Sequence, residues 1–513
     1  MTAPMAAPLQ MPRSLDTRAL DDFAGAFGRP GGERVGVVAL VWPRLTALRA
    51  TQCAATVLAL TFAYGLMRMP VQISDSLGQL LDAQQSASVL ETFSSWAHRA
   101  AYLRPMFYVD VKILFDLANG HYWLAYRGFH ALLACAALWL FVRVLRVRTW
   151  DDFAAAIFAL TVFTGLHTFR GLVREAYPVS HFLQVAVLCL LALNLARSRG
   201  GWLVDVAAAI TFVVASLTIE SGLLVWVVIV AAWACGMRGV SRRGMLAVTA
   251  LLGVYLWARF WMLAVGSPGF DQRSSGFLLR MLEPDEIQQR FGAMPAVFYA
   301  YNVATSFLSV LFSEPDGGVF EAVRAWLAGD VPPRVYLAVA SSSLSTALIV
   351  WAVAARVRGG MRSMRDESTQ LLAVSAAVVL ANAAISYVYT KHEILSVAGC
   401  FYAVAAFVAA RHALERLREG VPAAVRVVIV VVLASTATLW AFRSIGVHHM
   451  LRVEAFRVRN DWAGVPAEMW RDEGSAQQRR QAALIRQLRQ DAIDAPGSNP
   501  YLVPRWVDRW WGE

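Results

Sequence analysis

Residues 369–389 read TQLLAVSAAVVLANAAISYVY, with no charged side chain from one end to the other. Wound as a helix, a run of that length covers about 30 Å, the thickness of bilayer hydrocarbon. Comparable apolar runs lie at 49–69, 122–142, 152–170, 178–196, 202–218, 221–237, 245–265, 335–356, 393–411 and 423–443. The composition agrees. The chain of 513 residues is 58% hydrophobic and only 16% charged, with a mean hydropathy of +0.49. Soluble domains sit near roughly 45–50% apolar and about 25% charged. The expected fold is an all-α integral membrane protein with about eleven transmembrane helices.

One further run, 293–313, is AMPAVFYAYNVATSFLSVLFS, and the distribution of positive charge decides how it is read. Arginines from Arg13 to Arg49 place the N-terminus in the cytoplasm. Alternation then puts Arg143, Arg146 and Arg148, Arg197 and Arg199, and Arg238, Arg242 and Arg243 inside as well. If 293–313 crossed, Arg356, Arg358, Arg362 and Arg365 would fall outside; if it does not, they stay inside with Arg411, Arg416 and Arg418. The segment is therefore expected to lie on the outer interface or dip into it.

This divides the chain into a cytoplasmic segment 1–48, a transmembrane domain 49–443 and an external C-terminal amphipathic segment 444–513. The external side carries a first loop at 70–121, with amphipathic helices, and a large loop at 266–334. The tail is rich in Arg and Trp, including Trp462 and Trp470, and is expected to rest on headgroups as a small amphipathic unit or to stay loosely ordered.

The net charge of +11 is accounted for by cytoplasmic loops and implies no nucleic-acid partner. Of 47 basic residues all but Lys112 and Lys391 are arginine, a ratio that points to high-GC coding and a bacterial inner membrane. Five cysteines, Cys53, Cys135, Cys189, Cys235 and Cys400, sit in or beside apolar runs without the close pairing of a zinc or redox site. The long stretch ahead of the first apolar run does not read as a cleavable signal peptide.

Ionisable residues near membrane depth are expensive and mark function by default. On this topology they collect on the external face: Asp75 and Arg104 in the first loop, Arg174 and Glu175 near 170–178, Glu220 in a tight turn, Arg259 inside TyrLeuTrpAlaArg (255–259), and Lys391 with His392 in a late turn. A carboxylate there can activate a hydroxyl as a general base, while Arg and Lys hold a phosphate leaving group. Plainer roles stand beside these. Asp75 can cap a helix beginning near Ser76, Arg174 and Glu175 can form an interfacial pair, and Arg259 can pair with Glu220. Tyr126, Arg127 and His130 are expected to satisfy one another, and His448 and His449 to lie on the polar face of the tail.

The order of these features resembles the GT-C superfamily of polytopic glycosyltransferases. The likeness rests on an acid soon after the first span (Asp75), a long first loop with Tyr102-Leu103-Arg104-Pro105, and a second acid in the next external loop (Glu175). It continues with Glu220 before Gly222-Leu223, Tyr255-Leu256 followed by Arg259, and late Lys391, over about residues 49–411. The resemblance implies transfer of a sugar from a polyprenyl-phosphate donor to a glycan, lipid or protein acceptor. It assigns catalysis to Asp75 with Glu175, and substrate or phosphate binding to Arg104, Arg174, Glu220, Arg259, Lys391 and His392. It points to no definite cofactor and allows a divalent metal. The alternatives from the residues alone are an O-antigen-type polymerase or ligase, and a transporter or flippase of lipid-linked glycans.

Overall fold

In the computed structural model, residues 46–73, 75–99, 103–166, 180–262, 275–277, 280–292, 296–313, 318–359, 366–387, 394–465 and 474–494 are described. The helices are α1 (Ala47–Leu66), α2 (Asp75–Gln85), α3 (Val89–Arg99), α4 (Pro105–Ala118), α5 (Tyr122–Leu145), α6 (Trp150–Gly165), α7 (His181–Ala196), α8 (Trp202–Thr218), α9 (Leu224–Ala234) and α10 (Arg242–Trp257). A hairpin of two three-residue strands, β1 (Ser275–Phe277) and β2 (Arg280–Leu282), precedes α11 (Pro284–Phe291), α12 (Ala296–Leu308) and α13 (Gly318–Ala328). The chain closes with α14 (Pro333–Arg358), α15 (Glu367–Ile385), α16 (Ser396–Arg418), α17 (Ala423–Gly464) and α18 (Ala476–Asp494).

Apart from that hairpin, the regular secondary structure of the described residues is all helical. Among the described residues, six helices are long and apolar enough to cross a bilayer: α5, α10 with its extension to Met262, α14, α15, α16 and α17. A seventh is counted if α11 and α12, bent by 104° to each other, form one broken span. The protein thus has a multi-pass helical membrane architecture. Its outer walls suit lipid, since Val425, Val427, Val428, Val430 and Val431 of α17 are all exposed.

The centre of the bundle is α16. From Ser396 to Ala410 every residue is buried, as expected for a helix apolar on all sides. Its Ala, Gly and Ser residues let neighbouring backbones approach closely, and α6, α14 and α15 pack around it.

One end of the bundle is tied by charge. Glu367, at the start of α15, meets Arg146 at 3.1 Å, Arg148 at 3.8 Å and Arg197. Asp152 pairs with Arg411 at 3.2 Å, Asp151 with Arg418 at 2.7 Å, and Arg356 with Asp366. The arginine clusters that the charge rule assigns to one side therefore share one end of the bundle. At that end Asp205 of α8 accepts bonds from the Ser241 amide (2.8 Å) and hydroxyl (2.6 Å), pinning the start of α10. A Cβ on Gly244 would stand 2.3 Å from the Asp205 carboxylate, which these bonds hold in place. Gly244→Ala is expected to destabilise the protein by about 1–3 kcal/mol, read as a lower melting temperature of the purified protein.

The segment 296–313 runs into the bundle. Asn302 donates to the Tyr387 carbonyl at the end of α15 (3.0 Å), and Thr346, half-way along α14, donates to the Leu311 carbonyl. The next long helix, α14, starts from the Tyr387 end again, because α14 and α15 are joined through Arg356 and Asp366 at the other end.

Residue 444 proves to be no structural boundary. The last apolar run continues without a break to Gly464, making α17 42 residues long, about 63 Å and twice the hydrocarbon thickness. Beyond the bundle, Val458 and Trp462 of α17 join Leu484, Ile485 and Leu488 of α18, Leu77 and Leu80 of α2, and Val111 of α4 in one apolar core. The indole of Trp462 donates to the Val71 carbonyl. The described part of the tail is thus built into the first loop rather than being a separate surface unit. His448 stacks on Phe62 with ring centroids 4.0 Å apart, and His449 is buried, so neither sits on a polar face. Arg127 likewise bonds the carbonyls of Met69 (2.8 Å) and Pro70 (2.6 Å), and Tyr126 bonds that of Val111 (2.8 Å). Arg127 thereby anchors the start of the first loop, where the Met69 and Pro70 carbonyls lack helical partners and need buried donors, and Tyr126 ties α5 to α4.

Candidate functional site

At the end of the bundle opposite Glu367, three elements bring charge together. The first is the start of α4, where Pro105 takes the first helical turn, a position that loses no hydrogen bond, and Arg104 stands just ahead of it. The second is the 3-10 turn Glu220–Leu223 between α8 and α9. It closes tightly because Gly222 packs on α8: a Cβ there would lie 1.9 Å from the Ala215 carbonyl oxygen. The third is the π turn Ala258–Met262 that extends α10 and carries Arg259. Such turns are rare and recur at functional sites.

Glu220 is the meeting point. One carboxylate oxygen pairs with Arg104, and the other lies 3.0 Å from Arg259. Arg259 also donates to the Tyr255 hydroxyl at 2.8 Å, one turn back on α10. Burial raises the Glu220 carboxyl, but Arg104 and Arg259 outweigh it and hold the group below the ordinary carboxylate range.

A second group follows along α4. Arg104, Phe107 and Asp110 recur at three-residue spacing and so share one helix face. Phe107 stacks on His181 of α7 with ring centroids 3.4 Å apart. One turn further, Gln184 donates to the Asp110 carboxylate at 2.8 Å. Burial pushes the Asp110 carboxyl up to about 6, against the smaller opposing effect of the Gln184 bond. An acid poised there exchanges a proton near neutral pH.

Of the residues singled out in the sequence, Arg104, Glu220 and Arg259 are brought together, and the Arg259–Glu220 pair is present. Asp75 is the first residue of α2, and α2 packs against α4; its side chain lies outside what the structure describes. Arg174 and Glu175, and Lys391 and His392, also lie outside the described residues. Among the described residues, no three His, Cys, Asp or Glu side chains are placed to hold a metal. Sequence reading missed Asp110 and Gln184. The one signal available was the spacing of Arg104, Phe107 and Asp110, which has meaning only once 105–118 is known to be a helix.

Compared with known proteins, the chain matches no family model, no curated protein and no solved structure.

The turn that presents Glu220 can be tested alone. Gly222→Ala would force the turn off α8, because backbone atoms cannot yield as a side-chain end can. Loss of the Arg104 and Arg259 pairing is expected, with a fall in melting temperature larger than that of Gly244→Ala.

Proposed function

We propose that this chain is a bacterial inner-membrane glycosyltransferase of GT-C type with eleven spans. It has a cytoplasmic N-terminus, an external C-terminus, and a segment 293–313 that enters and leaves on the external side. It moves a sugar from a polyprenyl-phosphate donor to a glycan, lipid or protein acceptor outside the membrane. The observation that carries this reading is the convergence of Arg104 and Arg259 on Glu220 at the end of the bundle remote from the Glu367 arginine cluster, with Asp110 along the same face of α4.

In this scheme the donor phosphate binds against Arg104 and Arg259, which stabilise the negative charge that grows on it as the glycosyl bond breaks. Glu220 sets the separation of the two guanidinium groups. Arg174, Lys391 and His392 complete the phosphate side. Asp75 takes the proton from the acceptor hydroxyl as its oxygen attacks the sugar, assisted by Glu175. Asp110 adds a third acid whose ionisation governs the site near pH 6. The placement of these charges at helix ends favours an enzyme over a transporter, which gathers ionisable groups on broken helices near the midplane.

The test is transfer by membranes containing the protein, supplied with radiolabelled polyprenyl-phosphate sugars. Asp75→Ala is expected to lower transfer at least about 100-fold, and Arg104→Ala to lower it while raising the donor concentration needed. Full transfer by Asp75→Ala would remove that residue from catalysis. Full transfer by Arg104→Ala would remove the phosphate site from the Glu220 trio.

A further inference from the structure

At the end of the bundle that carries Glu367, the start of α1 and the end of α5 part around a cavity of about 610 Å³. Its wall is apolar, formed by Leu48, Trp139, Leu140 and Val147, and its rim is basic, formed by Arg143, Arg146 and Arg148, with Gln52 beside them. Trp139 precedes Arg143 by one helical turn, so an aromatic ring lies one step deeper than a cation on the same face. Leu48 and Trp139 are 41% and 46% exposed, so the cavity opens sideways to the bilayer as well as toward the headgroups.

The charge around it is unbalanced. Glu367 is shared by Arg146 at 3.1 Å, Arg197, and Arg148 at 3.8 Å. The acids at the start of α6 are occupied elsewhere, Asp151 by Arg418 and Asp152 by Arg411. Among the described residues, Arg143 has no acid within ion-pair distance. A free anion would leave the apolar wall bare, and a neutral lipid would leave the rim unneutralised. Basic pockets between transmembrane helices at headgroup depth match anionic lipids on both counts.

We propose that this cavity is a binding site for an anionic glycerophospholipid. One acyl chain lies along Leu48, Trp139 and Leu140, and the headgroup phosphate sits on Arg143 and Arg148 with the Gln52 amide. The site does not depend on the glycosyltransferase reading, and it lies at the opposite end of the bundle from the Glu220 trio.

The test is native mass spectrometry of the full-length protein released from nanodiscs of equal phosphatidylglycerol and phosphatidylcholine. Phosphatidylglycerol is expected to stay bound and phosphatidylcholine to be lost. The Arg143→Gln/Arg148→Gln double variant should retain about thirtyfold less phosphatidylglycerol, as removal of two surface cations implies. Arg143→Lys/Arg148→Lys, which keeps the charge and guards against misfolding, should retain most of it. Arg242→Gln, an exposed cation of α10 at the same end, should change nothing. Equal retention of both lipids, an equal loss in Arg242→Gln, or no loss in the glutamine double variant would each overturn the proposal. Displacement of the lipid by inorganic phosphate would also do so, since the site would then be one for small anions.

Discussion

Replacing Glu220 by glutamine is expected to cost about 3 kcal/mol of stability, the scale set by stranding a buried charge, and yet to tighten the hold on a phosphate. The side chain is 20% exposed and faces Arg259, which is 11% exposed. Without the carboxylate, two guanidinium groups face each other with little water to screen them. Losing one arginine is milder, because the other still balances Glu220. Thermal unfolding of Glu220→Gln, Arg259→Gln and the double variant forms a cycle that isolates the pair. The double variant should unfold closer to wild type than Glu220→Gln does, with a coupling of about 1–3 kcal/mol. Simple addition of the two effects would mean that the pair does not act as a unit. With one acid fewer against them, Arg104 and Arg259 should also bind polyprenyl phosphate more tightly than in the wild type. Unchanged or weaker binding by Glu220→Gln would show that the trio does not face the lipid phosphate.

Asp110→Asn is expected to make the protein more stable at alkaline pH while impairing its activity. Burial raises the Asp110 carboxyl from 3.8 to about 6, so the folded state holds the proton more tightly than the unfolded chain does. The stabilisation from that proton is complete below 3.8 and is lost as the pH rises through about 6. Above that range a half-buried carboxylate is held ionised against its surroundings, with the Gln184 amide as its one side-chain partner among the described residues. Asparagine keeps the shape and an oxygen acceptor for Gln184 but carries no charge. Melting temperatures at about pH 8 should therefore be higher for Asp110→Asn than for wild type, and the gap should close toward about pH 4. A gap that does not vary with pH would show that Asp110 titrates normally. A stability gain with an activity loss is the pattern of a functional group held in an unfavourable setting.

Much of the bundle was legible in the sequence because lipid imposes a length and a polarity on every crossing segment. The run at 369–389 appears as α15, and the arginine clusters gather on Glu367, Asp151 and Asp152 at one end. Hydropathy marks where lipid stops, however, and not where a helix stops. Residues 444–464 are polar enough to end the apolar run, but a helix accommodates charges that find partners on it, as buried Glu454 does with Arg457 at 2.6 Å. That is why α17 runs on unannounced and why Trp462, read as an interfacial residue, is a core residue. The first loop conceals more. Its helices are short and amphipathic, and their apolar faces are completed by α17 and α18, some 340 or more residues further along the chain. The Arg259–Glu220 pair could be anticipated from two charges at adjacent span ends. Arg104 could not be joined to Glu220 by spacing, since 116 residues separate them.

The most direct test of the account is photo-crosslinking of the purified protein in nanodiscs with a polyprenyl phosphate bearing a diazirine next to the phosphate. Label is predicted in peptides carrying Arg104, the 220–223 turn and Arg259, with loss of that label in an Arg104→Ala/Arg259→Ala variant. Label confined to the Arg143–Arg148 end, or undiminished in the variant, would contradict the assignment of the Glu220 trio as the lipid-phosphate site.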